Sequence, residues 1–414
     1  MNKVFPIKTD TACLLKWSWS TVFLKEGVTS SCHRCDQLPI DPDNFAGFHN
    51  LPRKLEARRT MLRGQWPQGG CQYCQRIESA GGTSDRMYQF NSGREGELPP
   101  PELSTDPVAI EVTPTILEVY FNNTCNMSCV YCNSWLSTKW EEENKRFGAF
   151  HQGDVKFGYP VKNNPNYERM LADFWKYLED RGRHIRYFQV LGGEPFFQPE
   201  LDTCIEFWDT HPNPDLTFNI VTNLKVNPKK FRKYIDRFER MVADQHIRKL
   251  QMSCSLDCWG KEQEYVRLGL DLAEWQENFE YMLTKDWIQL SINSTITGLT
   301  IKTMPEFIEN LVRWNQVRPK DKTIQYSFMS AVQPVQMMPD IFGPGAFDQE
   351  FEQVLELMPR DSSREHLAGV FKQINSKTRD VKRINDLKVY LTELDRRRNT
   401  NWKETFPWLD QEWT

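Results

Sequence analysis

Ile116-Leu117-Glu118-Val119-Tyr120-Phe121 runs almost directly into Cys125-Asn126-Met127-Ser128-Cys129-Val130-Tyr131-Cys132. The first run is short, apolar and rich in β-branched and aromatic residues, so it reads as a strand. The second is a loop at that strand's carboxyl end with the spacing C-x3-C-x2-C. Three thiolates this close can wrap one iron–sulfur cluster. A cubic four-iron cluster on three protein ligands keeps one iron open to a small molecule, whereas a fourth cysteine would close it and suit it to electron storage. The alternatives are three structural thiols, or a zinc site that borrows Cys258 or His151 as its fourth ligand.

Further along, Val190-Leu191-Gly192-Gly193-Glu194-Pro195 ends a second predicted strand. Its two glycines allow close approach of backbone to a ligand, and Pro195 turns the chain out of the strand. Ser255-Leu256-Asp257 follows the run Leu250-Gln251-Met252-Ser253-Cys254, with Arg267 beyond it, and Asn223 closes the run Phe218-Asn219-Ile220-Val221-Thr222. These pieces together resemble the radical S-adenosylmethionine (radical SAM) superfamily. The cysteine loop resembles its cluster loop, with Tyr131 at the aromatic position before the third cysteine, and Gly192-Gly193-Glu194-Pro195 resembles its GGEP motif. The resemblance implies a [4Fe-4S] cluster on Cys125, Cys129 and Cys132 whose open iron chelates the methionine part of SAM. It implies SAM contacts from Tyr131, Gly192, Gly193, Glu194, Asn223, Ser255 and Arg267. Glu194 would accept from the SAM ammonium, and Ser255 with Arg267 would meet its carboxylate, which a guanidinium fork suits.

Strand patterns recur at 116–121, 186–191, 216–222, 249–255, 288–295 and 324–329, with amphipathic helices between them. Their apolar faces are Met170, Leu171, Phe174 and Leu178; Phe231, Ile235, Phe238 and Val242; and Phe307, Leu311 and Trp314. Strands alternating with helices predict an α/β fold with a parallel sheet, whose ligands gather at the carboxyl ends of the strands. The resemblance implies a partial (β/α)6 TIM-like barrel over 115–335. A cysteine-rich unit at 1–95 precedes it, a Pro-rich linker at 96–114 joins the two, and a helical C-terminal extension at 336–414 follows, anchored by Trp402, Phe406, Trp408 and Leu409. The polar segment 141–166 reads as a loop over the barrel mouth, either a substrate lid or a surface excursion.

The N-terminal unit holds Cys13, Cys32, Cys35, Cys71 and Cys74. Two C-x2-C pairs and a lone cysteine signal a metal, either iron–sulfur or four-thiolate zinc. This set resembles the auxiliary-cluster (SPASM or twitch) modules of radical SAM enzymes, here placed before the barrel. The resemblance implies a second [4Fe-4S] cluster on Cys13, Cys32, Cys71 and Cys74, with Cys35 as a possible substitute, serving electron transfer. His33 would be a neighbour or ligand of that cluster.

With 39% hydrophobic and 13% aromatic residues the chain can bury a large core and is not of disordered composition. It has no 18-residue apolar run and no secretory h-region, so a cytoplasmic protein without a membrane span is expected. A net charge of −4 gives no bulk attraction to nucleic acid. The basic run Arg53, Lys54, Arg58, Arg59 and Arg63 reads as a solvated helix face, or as a patch steering an acidic peptide or nucleic acid. Gly81-Gly82-Thr83-Ser84-Asp85 lacks the Lys-Ser/Thr of a P-loop and reads as a turn. Cys204 reads as core, Cys258 as a reduced structural thiol or an active-site donor, and Asp257 as a helix cap.

The expected function is therefore reductive cleavage of SAM to a 5′-deoxyadenosyl radical, followed by hydrogen-atom abstraction. By analogy the substrate is a ribosomally made peptide undergoing oxidation or cross-linking, with a small metabolite or nucleotide as the alternative. A flavodoxin- or ferredoxin-type partner would supply electrons. A zinc-containing nucleic-acid-binding protein is the reading from a different class.

Overall fold

A computed structural model describes residues 9–79, 81, 84, 86–87, 110–161 and 163–413. Most of the 96–114 linker, including Pro99, Pro100, Pro101 and Pro107, lies outside the described residues, as do Gly82, Thr83 and Asp85. The strands of the main sheet are β1 (Trp19–Phe23), β2 (Val28–Ser30), β3 (Leu38–Pro39), β4 (Ile116–Tyr120), β5 (Tyr187–Leu191), β6 (Asn213–Thr222), β7 (Ile247–Ser255), β8 (Gln289–Ile296) and β9 (Gln325–Ser330). Their order is β9-β8-β7-β6-β5-β4-β1-β2-β3. Strands β4 to β9 are mutually parallel neighbours, as the alternation of strands and helices predicts. The order has two ends, so the sheet is open.

The six expected strands lie within about three residues of the observed ones, because each is a run of β-formers flanked by breakers. Helices cover one face. Tyr167–Arg181 buries Met170, Phe174, Tyr177 and Leu178, with Leu171 only half-buried. Pro228–Ala243 buries Phe231, Tyr234, Ile235, Phe238 and Met241; Met241, rather than Val242, completes that stripe. Met304–Gln316 buries Phe307, Ile308, Leu311 and Trp314. Phe188 meets Trp208 edge-on at 5.7 Å, and Phe218 meets Phe238 at 5.2 Å, so strand side chains on this face interlock with the helices.

The opposite face carries a polar row. Thr21 donates to Glu118 Oε2 at 2.6 Å, and Gln189 donates to Glu118 Oε1. Asn219 donates to Gln189 at 2.5 Å, Ser253 to Asn219 at 3.0 Å, and Ser253 pairs with Ser291 at 2.8 Å. All are buried, so each needs such a partner. Glu118, Gln189 and Ser253 sit two residues before the ends of β4, β5 and β7, one pleat below the loops.

The N-terminal segment joins the same sheet. β1 pairs parallel with β4, Trp19 opposite Ile116 and Phe23 opposite Tyr120, and β2 and β3 extend it antiparallel. Nothing local in the sequence announces this pairing across nearly a hundred residues. Segment 141–166 is built differently from a polar loop. Helix Thr138–Phe147 is capped by Ser137 and followed by a hairpin of Phe150–Gln152 with Val155–Phe157. Alternating apolar residues give the hairpin a packed side, where Phe157 meets Tyr390 edge-on at 5.3 Å. Tyr390 belongs to Val381–Arg398, the longest helix of the C-terminal extension.

Candidate active site

The cysteine loop, Gly192-Gly193-Glu194-Pro195, Asn223 and Ser255-Leu256-Asp257 lie at the carboxyl ends of β4, β5, β6 and β7. The cysteine loop follows β4. Cys125, Cys129 and Cys132 are free thiols, each half-buried. Three neighbouring segments are bonded to this loop. Glu194 N–H donates to Thr124 O at 2.7 Å. Asn223 Nδ2 donates to Asn126 Oδ1 at 2.9 Å and lies 3.9 Å from Cys125 Sγ. Arg267 and Leu268 pair antiparallel with Cys129 and Ser128, and Val130 N–H donates to Val266 O at 2.8 Å.

The glycines at the β5 turn are required by space. Gly193 has φ +59°, and a Cβ there would fall 2.2 Å from Thr124 O; at Gly192, φ +88°, it would fall 2.3 Å from the Tyr120 ring. Glu194 is fully buried and accepts from Thr222 Oγ1 at 2.7 Å, Asn223 N–H at 2.7 Å and Phe196 N–H at 3.2 Å. Both carboxylate oxygens are thus used in joining β5 to β6. Burial raises its pKa to about 7 against these donors. A raised folded-state value stabilises the fold below the unfolded value of 4.5 and loses that contribution as pH rises towards 7. Glu194→Gln does not titrate. Urea midpoints of the two proteins should therefore shift against the wild type by up to roughly 3 kcal/mol between pH 4.5 and 7. A pH-independent gap would show that burial leaves the Glu194 pKa at its unfolded value.

Arg267 is also committed inside the protein. Its Nε and Nη2 donate to Asp257 Oδ2 and Oδ1 at 2.8 and 2.9 Å, a buried bidentate pair. Asp257 also accepts from Tyr131 Oη at 2.6 Å and Thr295 N–H at 2.8 Å. Asp257 is therefore the hub joining Tyr131, Arg267 and β8, rather than a helix cap. Ser255 is half-buried at the end of β7 opposite Asn293. Cys258 and Cys204 are buried in the core.

The C-terminal extension supplies residues that the sequence did not signal. Tyr390 Oη donates to Val130 O at 2.6 Å, inside the cysteine loop. Trp140 Nε1 donates to Cys129 O at 2.8 Å, and Arg398 lies over the Trp140 ring at 4.5 Å while bonding Glu143 at 2.8 Å. Buried Arg397 donates to Gly148 O at 2.9 Å and stacks on Phe157 at 4.6 Å. Only the run Arg396-Arg397-Arg398 could have hinted at this, and it resembles an ordinary helix-end charge cluster.

The donor set fits a cluster. Burial raises all three thiols, Cys132 to about 12, so holding them as thiolates calls for metal charge. Among the described residues no three His, Cys, Asp or Glu side chains are grouped to hold a single metal ion. Cluster thiolates each bind a different iron and need not converge on one point.

Cys13, Cys32, Cys35 and Cys71, with Cys74 buried outside this group, gather around Leu15, Trp17, Trp19, Met61, Ile116 and Tyr187, at the amino ends of β1, β4 and β5. This is the opposite end of the sheet from the Cys125 loop, roughly 15 Å away along a five-residue strand. Cys32 and Cys35 sulfurs lie 3.3 Å apart, and Lys16 Nζ donates to Cys35 Sγ at 2.8 Å. Hydrogen bonds from Cys32 and Cys71, then the Lys16 charge, hold the Cys35 thiol well below its ordinary range, while the hydrogen bonds to Cys35 and burial raise Cys32 and Cys71. Gly70, φ +101°, has Arg34 O where a Cβ would stand at 1.8 Å, so the two C-x2-C turns press together there. His33 stacks edge-on against Trp19 at 5.0 Å, its Nδ1 4.0 Å from Glu118.

No family model and no curated protein matches the chain. Among solved structures, native anSMEcpe with bound AdoMet and the Kp18Cys peptide is similar at 15% identity and a TM-score of 0.33, over 58% of this chain and 57% of that one. The chain spans little more than half the length of that structure, and a likeness so distant says nothing of this chain's activity. Among the described residues no helix is long and apolar enough to cross a membrane.

Proposed function

We propose that this chain is a radical SAM enzyme, with a [4Fe-4S] cluster on Cys125, Cys129 and Cys132. The observation that carries the reading is the bonding of one three-cysteine loop to the segments that follow β5, β6 and β7. When bound, the cluster supplies an electron that splits the SAM sulfonium into methionine and a 5′-deoxyadenosyl radical, which takes a hydrogen atom from the substrate. The chain's own residues set the stage. Gly192 and Gly193 give the turn its close approach to the loop, and Asn223 orients Asn126. Asp257 fixes Tyr131 and Arg267 behind Cys129, and Tyr390 ties the loop from the far side. With their side chains committed to these internal partners, Glu194 and Arg267 act on SAM through backbone placement and charge rather than by direct bonds.

The sheet of 115–335 would form the partial barrel, with 1–95 as an auxiliary-cluster unit and 336–414 as its clamp. The substrate is a peptide undergoing oxidation or cross-linking, with a small metabolite as the alternative, and the reductant is a flavodoxin- or ferredoxin-type protein. Protein purified without oxygen should be brown and hold about eight irons and eight sulfides per chain, with little zinc. Stoichiometric zinc in place of iron would overturn the reading.

A further inference from the structure

The N-terminal unit buries three basic side chains: Lys16, Lys54 and Arg58 are 6%, 3% and 0% exposed. Lys54 and Arg58 stand one turn apart on helix Pro52–Leu62 and point inward, so this part of the basic run is neither a solvated face nor a docking patch. Arg53, Arg59 and Arg63 alone keep to the surface or its ion pairs. Lys54 donates to Ser20 Oγ, Thr29 Oγ1 and Ser30 O at 2.8 to 3.2 Å. Arg58 donates to Lys16 O, Asn50 Oδ1, Ile110 O and His49 O at 2.7 to 2.9 Å. Every one of these acceptors is neutral. Among the described residues none of the three basic side chains forms an ion pair with a carboxylate. Lys16 makes its contact with a sulfur, Cys35 Sγ at 2.8 Å.

The low-lying Cys35 thiol offsets the charge of Lys16, while the acceptors of Lys54 and Arg58 are neutral. Thiolates bound to an iron–sulfur centre would add negative charge beside Lys16. Hydrogen bonds to the sulfurs, net charge and exposure set the reduction potential of such a centre, and a positive charge at a sulfur favours the reduced, more negative form.

We propose that Lys16 is a positioning and tuning residue: it donates to the Cys35 sulfur and raises the reduction potential of the N-terminal centre. This rests on the auxiliary-cluster reading above in the form that takes Cys35, the possible substitute, as one of the ligands. The test is an EPR-monitored redox titration of anaerobically purified full-length protein, wild type against Lys16→Met, with iron content measured on both. At full iron, the Met variant should show at least a tenfold lower reduced-to-oxidised ratio for the N-terminal centre at a given poise, about 59 mV for a one-electron couple. The Cys125-loop centre should not move. An unshifted N-terminal midpoint, or an equal shift of both centres, overturns the proposal. If the Met variant loses iron, Lys16→Gln, which keeps an N–H donor without the charge, should shift in the same direction, and no shift there overturns it too. A wild type with one cluster signal, or with zinc in the N-terminal group, refutes the underlying reading before any variant is made.

Discussion

Asp257→Asn should lower the unfolding free energy by about 3–5 kcal/mol, because it leaves the buried Arg267 charge without its partner. The substitution keeps nearly the same shape. Tyr131 and Thr295 donate to different oxygens of Asp257, and Asn has one acceptor oxygen, so one of these two bonds is lost along with the charge. Both members are almost fully buried, and solvent screening cannot soften the result. The double variant Asp257→Asn with Arg267→Met should recover much of the loss, since no unpaired charge then remains. The checks are denaturant midpoints of the four proteins of the cycle. Additive effects would show that the pair is not coupled. Because Arg267 is paired strand-to-strand with Cys129, the single variant should also take up less iron on the Cys125 loop.

Gly193→Ala should cost more than about 3 kcal/mol. It combines left-handed strain of about 1–2 kcal/mol with a backbone clash of the overpacking kind, about 1–3 kcal/mol. The atom it would strike, Thr124 O, is the one that receives Glu194 N–H, so relief requires parting the β5 turn from the cysteine loop. Gly64→Ala is the control. Gly64 has φ +73° with nothing within 4 Å of its missing Cβ, so it should lose only the strain, about 1–2 kcal/mol. Thermal or denaturant midpoints separate the two. Equal losses would mean that the close approach at Gly193 is not holding the turn in place.

Much of the fold was legible because it rests on local patterns. The six parallel strands are β-forming runs between breakers, and the motifs stand at their ends because parallel strands gather loops on one edge. What the sequence hid depends on long-range partners. β1 joins β4 without any local mark. Asp257 reads as a cap, yet it pairs with Arg267 and Tyr131, an alternative use that only the folded β7–β8 edge reveals. Lys54 and Arg58 read as surface charge because a basic helix face usually is; here they turn inward onto neutral oxygens of the N-terminal unit. The polar row from Thr21 through Glu118, Gln189 and Asn219 to Ser253 was visible only as isolated polar residues in apolar strands, since its register needs the sheet. The grip of Tyr390 on Val130 spans 260 residues, beyond any spacing rule.

The central claim is that Cys125, Cys129 and Cys132 together hold a centre that splits SAM. The direct measurement is 5′-deoxyadenosine formed from SAM by the anaerobic, chemically reduced protein, beside variants in which each of these cysteines is replaced by alanine. The account predicts product from the iron-replete wild type and none from any of the three variants, with the N-terminal iron retained in each. Undiminished product from a variant, or none from an iron-replete wild type, would contradict it.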